Sequence, residues 1–166
     1  MSWLTSDEFK IVNALSPADY NAGTGCEPCA VVNMGRFQSM VAVVQMGSMV
    51  TTPTIFVYEY TAAAATSGQA LATWNYRLSG NSPTTGVTTA TTDVLGARTA
   101  GASTGIAAPT TAKNCAYVIE VKSDDLDDGY PYIGINISTD AQISNYAVTY
   151  VMKPRYPMYT QISALS

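Results

Sequence analysis

Hydrophobic residues recur at every second position through much of this chain, the pattern of half-buried β-strands. The clearest runs are Ala116 to Lys122, Tyr132 to Ser138 and Asn145 to Met152. In the second of these, Ile133, Ile135 and Ile137 share one face while Gly134, Asn136 and Ser138 share the other, which predicts an isoleucine core face. Thr54 to Tyr60 predicts a further strand with Phe56, Tyr58 and Tyr60 together, and Thr73 to Leu78 another with Trp74, Tyr76 and Leu78 together. Phe37 to Met46 is apolar on both faces, with Met40, Ala42, Val44 and Met46 opposite Phe37, Val41 and Val43. Such a run predicts a central strand covered on both sides, by a second sheet on one face and a neighbouring subunit on the other.

The remaining segments are less regular. Phe9 to Leu15 reads as a strand stopped by Ser16-Pro17, Asp19 to Pro28 as a loop, and Cys29 to Met34 as a strand turning at Gly35. Ala62 to Leu71 predicts a short helical turn limited by Gly68. Short strands separated by turn signals predict an all-β chain. The expected architecture is a single antiparallel β-sandwich, jelly-roll-like or Greek-key, occupying residues 1–166 as one domain.

Two segments break the pattern. Residues 79–112 are mostly Ser, Thr, Ala and Gly, with Asp93 and Arg98 the only charges. They bury little apolar surface of their own and predict a long loop or arm, lying free or on a neighbour. Residues 153–166 open with Lys153-Pro154-Arg155-Tyr156-Pro157-Met158-Tyr159, where prolines and aromatics predict an extended docking strip.

Composition narrows the chemistry. The chain has no histidine, is only 12% charged, and carries a net charge of −4. A serine nucleophile would have no histidine base, and there is no G-x-S-x-G elbow and no phosphate-binding glycine loop. The expectation is a protein that is not an enzyme. Its eight basic residues are scattered, so nucleic acid is not an expected partner. No apolar run of about 18 residues predicts a membrane span. Acids in Met1 to Glu8 stand where a secretory signal would be basic and then apolar, so synthesis in a cytoplasm is expected.

Cys26, Cys29 and Cys115 make an odd count, which fits free thiols. The pair Cys26–Cys29 has C-x-x-C spacing, but a structural zinc site takes four Cys or His ligands, and a redox pair sits at a helix N-terminus. Glu120, Asp124, Asp125, Asp127 and Asp128 crowd one turn, where Leu126 interrupts any EF-hand spacing. They read as a solvated turn capped by Ser123 and ended by Gly129. No metal and no cofactor are expected.

Tyrosine is the better clue, because it buries a large ring while keeping a hydroxyl for hydrogen bonding. Alternation turns Tyr146 and Tyr150 inward. Tyr130, Tyr132, Pro154, Arg155, Tyr156, Pro157 and Tyr159 are the candidate partner-binding residues.

Several features in order carry a resemblance. They are Lys10-Ile11-Val12-Asn13 with Pro17 following, the doubly apolar Met40 to Met46 ending at Gly47, and Val57-Tyr58-Glu59. Ala70-Leu71-Ala72 then runs into Tyr76-Arg77, Ile119-Glu120-Val121 precedes Asp124-Asp125-Leu126-Asp127, and Arg155-Tyr156 closes the series. The chain resembles a group of small tailed-bacteriophage proteins, encoded among head genes and regarded as capsid decoration or cement proteins. The resemblance spans residues 9–156 and rests on the order of the motifs. It implies a β-sandwich on the outer capsid surface of the virion, bound to the major capsid protein as a homo-oligomer (dimer or trimer), with no catalytic residues. The Cys26–Cys29 pair and the Thr-rich segment are not features of that group. Two other classes share this composition: a tail or fibre component, and a carbohydrate-binding β-sandwich with Tyr130 and Tyr132 as stacking platforms.

Overall fold

The alternating runs become strands that pair across long distances in the chain. The structure, a computed structural model, describes residues 8–20, 25–47, 52–79, 95–108, 115–139, 144–156 and 164–165. In chain order the strands are β1 (Lys10–Tyr20), β2 (Gly25–Pro28), β3 (Val32–Asn33), β4 (Phe37–Met46), β5 (Thr54–Tyr60) and β6 (Gly68–Ala70). They continue as β7 (Thr73–Leu78), β8 (Thr99–Ala102), β9 (Ile106–Ala107), β10 (Cys115–Lys122), β11 (Tyr132–Thr139) and β12 (Ser144–Pro154). A 3-10 turn, Ser123–Asp125, follows β10.

Two antiparallel sheets pack face to face as a β-sandwich. The first runs β1-β12-β4-β10-β7-β8, and the second runs β2-β11-β5-β6 with β3 beside β11 and β9 beside β5. The chain passes from β4 in the first sheet to β5 in the second, back to β7 and β8, and then across again to β9. Inner positions follow the alternation. Met40, Ala42, Val44 and Met46 of β4 are buried, as are Ile133, Ile135 and Ile137 of β11 against Val57 and Ile55 of β5. Trp74, Tyr117, Tyr146 and Tyr150 fill the same core.

Several local expectations fail for reasons of neighbourhood. Pro17 does not stop the first strand. β1 is an edge strand, its register slips between Leu15 and Ala18, and a proline without an amide hydrogen is tolerated at such an irregularity. The expected loop 19–28 contains the end of β1 and all of β2. The expected strand from Cys29 to Met34 reduces to β3, because the chain bulges between β2 and β3. Residues 61–67 form turns rather than a helical turn, with Ala65 in the left-handed region at φ 55°.

The described part of the Thr-rich segment is integrated into both sheets. β8 pairs with β7, and β9 pairs with β5. Gly101 lies under the Trp74 ring, where a Cβ would come within 2.5 Å of ring atoms. The indole instead donates its Nε1–H to the Ala102 carbonyl at 3.3 Å. Small residues in this segment let its backbone lie close against a large aromatic. Sequence composition gave no sign of that role.

Candidate functional site

The starts of β4 and the ends of β10 and β12 meet the loop 123–131 at one end of the sandwich. They enclose an open cleft of about 320 Å³. Its walls include Met34, Leu126, Tyr130 and Pro131, and its charged groups are Asp127, Asp128 and Arg155.

Arg155 is fixed at several points. Its backbone N–H donates to the Arg36 carbonyl at 3.0 Å, and its Nε–H donates to the Phe37 carbonyl at 3.4 Å. Its Nη2 donates to Ser123 Oγ at 2.7 Å and reaches Asp124 Oδ1 at 3.5 Å. The Asp124 side chain is 84% exposed, so that ion pair orients the guanidinium more than it stabilises the fold. The next residue, Tyr156, is 78% exposed. A clamped arginine thus presents an aromatic ring to solvent.

The loop opposite is tied down from below. Lys122 donates its backbone N–H to Asp125 Oδ2 at 2.9 Å, and Tyr130 donates its N–H to the Asp127 carbonyl at 3.1 Å. Gly129 makes the turn at φ 88°, a conformation natural to glycine. Below them lies Glu59, only 1% exposed, on the inward face that alternation assigns to Ile55 and Val57. Its carboxylate accepts the Asp127 backbone N–H at 2.8 Å and Gln69 Nε2 at 2.7 Å. Gln69 Nε2 also donates to Asp127 Oδ2 at 2.8 Å. Each carboxylate oxygen of Glu59 therefore has a donor, which is how a buried acid is made tolerable. Sequence reasoning passed over Glu59, although its parity with Ile55 and Val57 marked it as inward-facing.

The candidate residues separate. Tyr130 and Arg155 line the cleft, and Pro154 ends β12 opposite Phe37. Tyr132 lies on the outer face of the second sheet, paired with Tyr60, and is not among the cleft's lining residues. Only Tyr130 of this pair lines the cleft. Pro157 and Tyr159 lie outside the described residues. The C-terminal segment is not a free strip throughout: Ala164 is buried, and its carbonyl accepts the Asn33 N–H at 2.8 Å along the edge of β3.

The thiols of Cys29 and Cys115 are buried, and burial pushes the Cys115 thiol pKa up. The side chain of Cys26 lies outside the described residues. Among the described residues, no group of three or more His, Cys, Asp or Glu is placed to hold a metal ion. No helix among them is long and apolar enough to cross a membrane.

The cleft end offers a clamped guanidinium, an exposed ring and a pinned acidic loop, a set suited to contact with another surface. Compared with family models, curated proteins and solved structures, the chain finds no match in any of the three.

Proposed function

We propose that this chain is a structural virion protein that decorates the outer surface of a phage capsid and cements its shell. The order of motifs that resembles the decoration proteins supports this reading, and the β-sandwich which that resemblance implies is the fold observed. The observation that carries it is Tyr156, 78% exposed beside the multiply bonded Arg155. Tyrosine and arginine are enriched among the residues that anchor protein interfaces.

A protein that binds only the assembled lattice stabilises it by mass action, worth about 2.7 kcal/mol at about 100 times Kd. Several copies joined as a homo-oligomer would add avidity without a strong single site. The cleft end would meet the major capsid protein.

The test uses phage particles that encode this chain. Cryo-EM of heads should show its density on the outer shell, and heads lacking it should lose integrity at lower temperature. Tyr156→Ala should lower occupancy on heads while leaving the isolated protein's stability within about 0.5 kcal/mol, as for other exposed positions. This point change is preferable to removing residues 154–166, which would also take Ala164 out of the core. Density at the tail tip, or heads equally robust without the protein, would overturn the reading.

A further inference from the structure

The outer face of the first sheet carries an uneven distribution of charge. Register places Ile11, Val151, Val41 and Glu120 in one row across β1, β12, β4 and β10. The neighbouring row sets Lys153 and Lys122 on either side of Ser39. Directly paired residues point to the same face, so the two lysines leave the sheet on the same side, their backbones about 10 Å apart, two strand spacings. Ile11 is 62% exposed, and Val41 and Val151 are half-buried.

Among the described residues, four basic residues serve this face: Arg77, Arg98, Lys122 and Lys153. Glu120 pairs with both arginines, through Oε1 to Arg77 Nε at 4.0 Å and Oε2 to Arg98 Nη2 at 3.4 Å. Among the described residues, neither Lys122 nor Lys153 has an ion-pair partner. With Asp19 at the far end of β1 as the second acid, the described residues still leave this face net positive in a chain that is net −4. That row of lysines is also the boundary with the cleft end: Lys153 precedes Pro154-Arg155-Tyr156, and Lys122 precedes Ser123-Asp124.

We infer that the surface receiving Tyr156 continues over this face, and that its partner is an acidic protein surface with carboxylates opposite Lys122 and Lys153 around an apolar centre. The inference rests on the shell-binding reading and adds the chemistry of the partner. Charge complementarity selects the occupant. A second copy meeting this face with its own would set cations against cations. Nucleic acid would meet Glu120 and an aliphatic centre where phosphates need unbroken positive charge.

The test compares binding to heads purified without this protein. Wild type should bind, more weakly as salt rises through the screening range. Lys122→Glu with Lys153→Glu should bind about tenfold or more weakly. Ile11→Ser should also weaken binding. A control with the same total charge change on the exposed turn of the second sheet, Ala62→Glu, Ala63→Glu, Ala64→Glu and Thr66→Glu, should bind as wild type. Wild type binding with the lysine variant binding equally well overturns this inference and leaves the shell reading standing. Wild type failing to bind heads at all overturns both. Binding abolished by nuclease would assign the face to nucleic acid and overturn the acidic-protein partner.

Discussion

The hydroxyl of Tyr150, carried by β12 of the first sheet, accepts the backbone N–H of Ile135 in β11 of the second at 2.9 Å. The Ile135 carbonyl accepts the Cys29 N–H at 3.0 Å, so both its polar groups face the gap between β2 and β3. Where the chain bulges away from β11, a side chain from the opposite sheet supplies the acceptor. This bond crosses the core and ties the two layers together.

Tyr150→Phe should therefore cost more than an exposed hydroxyl would. It leaves a buried amide without its acceptor, at about 1–3 kcal/mol. Chemical denaturation comparing the variant with wild type measures it, with hydrogen exchange at Ile135 expected to quicken. A loss below about 0.5 kcal/mol, the usual range for surface changes, would mean another acceptor takes the amide.

Gly101→Ala adds a methyl where Trp74 ring atoms already lie at 2.5 Å from the built Cβ position. Because Trp74 is 2% exposed and packed in the core, the ring has little room to move. The expected cost is about 1–3 kcal/mol of overpacking. Thermal unfolding and a red shift of tryptophan emission, as the ring is displaced toward water, would register it.

Glu59→Gln keeps the shape of a buried side chain but replaces one acceptor oxygen with a donor. The new NH₂ must face either the Asp127 N–H or the Gln69 amide, both donors to the native carboxylate. A loss of about 1–3 kcal/mol follows. Proteolysis within loop 123–131 should become faster, since Glu59 holds the loop from below.

Alkaline pH should destabilise the protein through Tyr117. Burial, with Cys115 and Tyr76 nearby, raises its pKa from the ordinary 10.0 to about 12. Below 10.0 the phenol is protonated in both folded and unfolded chains and adds no pH dependence. Between 10.0 and about 12 the unfolded chain releases the proton while the folded one holds it, so stability falls as pH rises. Melting temperatures measured across that window should drop less steeply in Tyr117→Phe.

How much of this was legible before folding varies with the range of the interaction. Inward faces were readable at Ile133, Ile135 and Ile137 and at Met40 to Met46, because side-chain direction in a strand depends only on parity. Strand ends were less readable, as Pro17 and the 19–28 segment show, because an edge position excuses what a central one forbids. Tyr130, Arg155 and Tyr156 were legible as candidates, but Arg155's hold on Phe37 and Ser123 was not.

What the sequence alone determined is local: strand character and the choice of core residues, both following from alternation and the removal of apolar surface from water. Partnership was decided only in three dimensions. Lys122 and Lys153 become a pair because β10 and β12 both flank β4, and Ser39 sits between them in register. Glu59 becomes the anchor of a loop nearly seventy positions away, and Tyr150 the acceptor for an amide in the other sheet. Such contacts join distant parts of the chain through backbone pairing and packing, and no periodicity within a single segment encodes which segment lies beside it.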